Sequence, residues 1–128
     1  MHMSDRSGYP FSSSSPEKVT EAYLQAIRTI DERVTPFLGK ATTRVLVQGA
    51  ARRVSQAYPF LHFLEKLPYT EVNPPVIAEQ LGNVALEQLA AGLNALLQEC
   101  FAGLKELTGD LIVPPLYEEV SRQLEQLP

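Results

Sequence analysis

A single cysteine, Cys100, stands in the 128-residue chain, so no disulfide can close within it and no cysteine cluster can hold zinc. One lone thiol accords with a reducing compartment. Histidine is nearly as scarce. His2 lies in the first residues and is given no role, which leaves His62 without a second imidazole to share a metal or haem. No run approaches ~18 consecutive apolar residues, which excludes a helical membrane span. The first residues hold no apolar core of the signal-peptide kind, so a cytoplasmic protein is expected. There is no basic excess either: the net charge of −4 argues against a nucleic-acid binder.

The motifs of common chemistry are missing as well. No alternating run is bounded by hairpin turns, so no strand is predicted. There is no glycine-rich phosphate loop and no Gly-x-Ser-x-Gly elbow. Glu87, Glu99, Glu118 and Glu119 do not fall in a Glu-x-x-His metal spacing. The chain therefore reads as a non-enzyme, with no catalytic residue, no metal and no cofactor expected.

What is present is helix. The length suits one domain able to bury its own core, and 45% apolar with 20% charged residues is an ordinary balance. Residues 1–15, rich in serine, read as a flexible tail, and 16–128 as a single helical domain. Ser15-Pro16 is a capping hydroxyl followed by proline at the first helical position. Val19, Ala22, Tyr23, Ala26, Ile27, Ile30 and Val34 then recur at helical spacing. Thr35-Pro36 repeats the start signature and predicts a second helix to about Tyr58, with Leu38, Ala41, Val45, Ala50 and Val54 inward. Phe60 to Leu67 predicts one or two helical turns. Asn73-Pro74-Pro75 launches the dominant element, expected over 75–107. At ~1.5 Å per residue it would be about 50 Å long unless kinked at Gly82 or Gly92. Thr108-Gly109 ends it, and Pro114-Pro115 begins a last helix with Leu116, Tyr117, Val120, Leu124 and Leu127 on one face. The expected fold is all-α: an up-down bundle of about four main helices around one long central helix.

Charge is segregated along this pattern. Residues 36–58 carry Lys40, Arg44, Arg52 and Arg53 and no acid, whereas 59–128 carry ten acids and three bases, a net −7 (3 − 10). Lys40, Arg44, Gln48 and Arg52 step by four and share a helix face. Such a stripe suits phosphate or an acidic partner, although a solvated face is the commoner meaning. His62, crowded by aromatics, reads as a structural or partly exposed histidine rather than as a phosphoacceptor. Cys100, flanked at helical spacing by Leu96, Leu97, Gly103 and Leu104, reads as a buried thiol. The aromatic segment suggests a small-molecule pocket near Tyr58, Phe60, His62, Phe63 and Tyr69. Gly82, Gly92 and Gly103 either admit a neighbouring helix closely or are tolerated surface glycines.

Phe37-Leu38-Gly39-Lys40-Ala41, followed by Arg44-Val45-Leu46-Val47 and Ala50-Ala51, resembles part of a small helical domain appended to bacterial serine/threonine kinases and related signalling regulators. The resemblance covers about residues 37–54, and Lys40 stands where that pattern has proline. It implies a signalling role and carries no active-site residue. The expected function is a non-enzymatic regulatory or scaffolding module acting through protein contacts, with a small-molecule sensor as the alternative. The expected partners are an acidic protein and a second copy of the chain. The dimer would form on the long helix through Leu86, Leu89, Leu93, Leu96 and Phe101, because shorter helices cannot cover a 50 Å apolar girdle.

Overall fold

Ser15 opens the first helix as its sequence dictates: its Oγ accepts from the Lys18 N–H at 3.1 Å, and Pro16 takes the first helical position, where no N–H is needed. The computed structural model describes residues 15–125. Apart from Ser15, the tail expected over 1–15 lies outside the described residues, as does Leu127.

Helix α1 (Pro16–Leu38) buries Val19, Tyr23, Ala26, Ile27, Ile30 and Val34 on one face. It does not stop at Thr35-Pro36, as the start signature there had suggested. The Thr35 hydroxyl donates to Asp31 Oδ1 at 2.6 Å instead of capping a new helix, and Pro36 sits in the last turn of the old one. The turn comes at Gly39, whose φ of +86° is open to glycine at no steric cost. Its N–H returns to the Thr35 carbonyl at 2.8 Å.

Starting four residues later than expected, α2 (Lys40–Val54) turns a different face inward. Thr43, Leu46, Val47, Ala50, Ala51 and Val54 are buried, whereas Ala41 and Val45 are exposed and Leu38 is half-buried. Ala50 and Val54 alone of the expected inward set are in the core. A 3₁₀ segment follows over Pro59–Glu65, close to the short element predicted there, and a second over Tyr69–Glu71.

The predicted 33-residue helix is two helices. Asn73 caps α3 (Pro74–Leu81), its Oδ1 accepting from the Val76 N–H at 3.1 Å. The chain turns through Gly82 to Ala85 and resumes as α4 (Leu86–Thr108). Gly92, the other candidate kink, lies inside α4 and serves packing: a Cβ there would come within 2.8 Å of Phe60 Cζ. Gly103 makes the same allowance for Leu46, whose Cδ1 would lie 2.7 Å from such a Cβ. Helix α5 (Val113–Glu125) completes the bundle.

The fold is thus all-α, with no strand among the described residues. Helix α4 is its axis, with α1, α2 and α5 packed on it and α5 also lying along α1. This arrangement corrects the expected dimer face. Leu89, Leu93, Leu96 and Phe101 are buried by the chain's own helices, and Leu86 is half-buried. The break at Gly82 shortens the helix until its neighbours can cover it.

One core group lacks a partner. Thr20 is 1% exposed, and its hydroxyl makes no hydrogen bond among the described residues. Thr20→Val keeps the shape and removes the desolvation penalty, so denaturant unfolding should show unchanged or higher stability, by up to about 1–2 kcal/mol. Leu93→Ala, at a position with no exposed surface, should cost ~2–5 kcal/mol in the same measurement.

Candidate functional site

The basic stripe of α2 is divided by what it meets. At the C-terminal end, Arg53 Nε pairs with Glu99 Oε1 of α4 at 2.6 Å, and Arg52 Nε lies 3.7 Å from Glu65 Oε1 of the first 3₁₀ segment. Glu65 is a small hub: it also accepts from Ser55 Oγ at 2.9 Å and pairs with His62 Nδ1 at 2.7 Å. The Ser55 hydroxyl above all, with His62 and Arg52 beside it, holds the Glu65 carboxyl below the usual range against the opposing effect of partial burial. Arg52 and Arg53 therefore tie α2 to its neighbours.

Lys40 and Arg44, at the other end, are exposed and make no ion pair among the described residues. Together with Gln48 they form one wall of a cavity of about 200 Å³. Its other polar wall holds Asp31 from α1 and Tyr69 and Thr70 from the second 3₁₀ turn. Its apolar lining comes from Ile27, Val47, Ala51, Leu64 and Leu96, all buried. Five separate elements build it, each supplying a side chain that its own helical register directs to this place.

Asp31 is the one acid lining the cavity, and both of its oxygens are engaged. Oδ1 accepts from Thr35 Oγ1 at 2.6 Å, and Oδ2 accepts from the Tyr69 hydroxyl. The carboxylate is thereby held by hydroxyl donors rather than by Lys40 or Arg44. Burial first, and then the Asp31 hydrogen bond and charge, push the Tyr69 phenol well above its ordinary range, so Tyr69 stays a neutral donor at physiological pH.

Among the aromatic residues expected to form a pocket, Tyr69 alone lines this cavity. Tyr58 and Phe60 meet edge to face, with ring centroids 5.9 Å apart, and lie against α4 at Gly92. Phe63 is half-buried against the core, and His62 points to solvent, with 67% of its side chain exposed. Tyr58, Phe60 and Phe63 hold the 3₁₀ segment to the bundle. The α1 wall, Ile27 and Asp31, carried no signal in the sequence beyond helical spacing, because its partners are about 40 residues away.

The remaining groups have simpler parts. Cys100 is fully buried, and burial pushes its thiol up to about 12 despite the opposing pull of Arg53, which leaves it without thiolate character at neutral pH. No group of three metal-type ligands exists among the described residues. At one end of the bundle Phe37 and Leu111, 72% and 86% exposed, flank a shallow groove with Ile112 and Pro115, closed on one side by the Arg33–Glu119 pair at 2.7 Å. Comparison with protein-family models, with curated proteins and with solved structures finds no match.

The Tyr69 geometry has a measurable consequence. A phenol whose pKa is raised on folding lends stability that is present below about pH 10 and is lost as the pH rises beyond it. Burial raises the Tyr23 phenol as well, so absorbance titration near 295 nm should show two tyrosines resisting ionisation until the protein unfolds, and Tyr69→Phe should leave one and lessen the alkaline loss of stability. The same number of resistant tyrosines in Tyr69→Phe as in the wild type would contradict the contact with Asp31.

Proposed function

We propose that the protein is a non-enzymatic sensor that binds a small molecule in the cavity between α1, α2 and the Tyr69 turn. The observation that carries this reading is the cavity's construction. Buried aliphatic side chains line its depth, and a few polar groups stand at its mouth, as in sites that orient small ligands. The cavity also spans elements that are distant in sequence. A ligand seated there would touch α1, α2 and the 3₁₀ turn together and so bias how they pack. The resemblance of residues 37–54 to a domain of bacterial signalling regulators agrees with such a role, since the segment supplies Lys40, Arg44, Val47, Gln48 and Ala51.

A second reading, docking to another protein, is favoured by one separate observation. Phe37 and Leu111 are large, apolar and exposed side by side at the end of the bundle. A homodimer, if formed, would use this end and not the buried face of α4. An acidic partner would meet Lys40 and Arg44, which lie near the same turn.

Thermal unfolding in the presence of a library of small organic molecules tests the sensor reading. A ligand at a hundred times its Kd contributes about 2.7 kcal/mol, enough to raise Tm by several degrees. Gln48→Trp places a bulky ring at the half-exposed mouth of the cavity and should abolish the shift while leaving helicity intact. If no compound stabilises the protein more than it stabilises Gln48→Trp, the sensor reading is wrong.

A further inference from the structure

We propose that the cavity selects a small organic monoanion: a carboxylate of about eight carbons, with its head held between Lys40 and Arg44 and its apolar body laid on the aliphatic lining. The proposal rests on the sensor reading above and specifies its ligand.

Three observations carry it. The first is charge. Lys40 and Arg44 stand one helical turn apart on the same wall, exposed and without an ion pair among the described residues. Arg52 and Arg53, on the same helix, are both paired. The cationic end of the stripe that faces the cavity is the end left unmatched.

The second observation is that Asp31, the only acid lining the cavity among the described residues, offsets just one of these two charges. Asp31 gives Oδ1 to Thr35 and Oδ2 to Tyr69, and the Tyr69 proton is committed to that bond. Two cations and one hydroxyl-bound carboxylate leave the mouth one positive charge in excess. An incoming anion meets guanidinium and ammonium donors, whereas an incoming cation is repelled by the excess positive charge and finds a single carboxylate that already accepts one hydrogen bond at each oxygen.

The third observation is shape and lining. The cavity's volume of about 200 Å³ equals that of roughly seven water molecules at ~30 Å³ each, which suits about ten non-hydrogen atoms. Ile27, Val47, Leu64 and Leu96 offer that body only aliphatic contacts. Inorganic phosphate would gain the charge and leave this lining empty. A neutral hydrocarbon would gain the lining and leave the cations unanswered. A short amphiphilic acid satisfies both.

The experiment is a set of ¹H–¹⁵N titrations with octanoate, octanol, octylammonium and inorganic phosphate against the wild-type protein, Gln48→Trp, and the double variant Lys40→Gln, Arg44→Gln. Both cations are exposed, so the double variant is expected to keep its helices, which circular dichroism checks before the titrations. Octanoate is expected to shift the amides of Thr43, Val47, Tyr69 and Thr70 saturably, and to bind at least tenfold tighter than octanol or phosphate, with octylammonium weakest. The double variant should lose at least tenfold for octanoate and nothing for octanol. Octanoate binding should also weaken as salt is raised, because the head group sits at a screened surface. Equal binding of octanol and octanoate in the wild type, both abolished by Gln48→Trp, would overturn the anion assignment and leave the cavity as a ligand site. Octanoate shifts confined to the Phe37–Leu111 end, or none at all, would overturn the proposal, and the cavity's standing as a site would then rest on the thermal library screen.

Discussion

The apolar face of α4 must be covered, and the chain covers it from within. Leu89, Leu93, Leu96, Cys100 and Leu104 form the axis of the molecule, and α1, α2 and α5 are the surfaces laid against it. At ~25 cal/mol per Å², burial of this face is the dominant favourable contribution to folding. The remaining features follow from bringing helices close enough to achieve it. Gly92 admits Phe60 and Tyr58, Gly103 admits Leu46, and Gly39 turns α2 back along α1. The cavity is a consequence of the same geometry. Where α1, α2 and the 3₁₀ turn diverge around Leu96, their side chains leave a gap with an aliphatic lining and a polar mouth.

Much of the fold was legible in the sequence. Helical periodicity places Val19 through Val34 on the buried face of α1, and Ser15-Pro16 and Asn73-Pro74 mark helix starts at which the cap bonds form. The failures share a cause. Thr35-Pro36 looks like Ser15-Pro16, but α1 carries Pro36 within its last turn despite the hydrogen bond lost there, and local sequence does not separate the two cases. Once the boundary moves to Gly39, the inward face of α2 rotates, and Val45 exchanges its place with Leu46 and Val47. Gly82 was a plausible kink, and Gly92 an equally plausible one. A helical glycine either breaks a helix or admits a neighbour, and the difference lies in whether an aromatic ring such as that of Phe60 arrives from elsewhere in the chain.

The candidate site was legible in halves. The stripe Lys40, Arg44, Gln48 and Arg52 was visible as one face, because spacing by four is a local property. That its two ends have different fates was not. Glu65 and Glu99 claim Arg52 and Arg53, whereas nothing among the described residues claims Lys40 and Arg44. Tyr69 was identified with the aromatic segment and lies on the cavity. Its partner Asp31 sits 38 residues earlier, and no pattern in the sequence joins the two. Tyr58, Phe60 and Phe63 attracted notice as aromatics, and they serve the packing of the 3₁₀ segment, as clustered aromatics near a core commonly do.

In the proposed function, the cavity between α1, α2 and the Tyr69 turn receives a ligand's apolar body. The most direct measurement is an intermolecular nuclear Overhauser experiment on methyl-labelled protein with bound octanoate. The predicted result is contact between the ligand's terminal methyl group and the methyl groups of Ile27, Val47, Leu64 and Leu96. Contacts to Leu111 and Ile112 instead would place the ligand at the Phe37–Leu111 end of the bundle and contradict this placement.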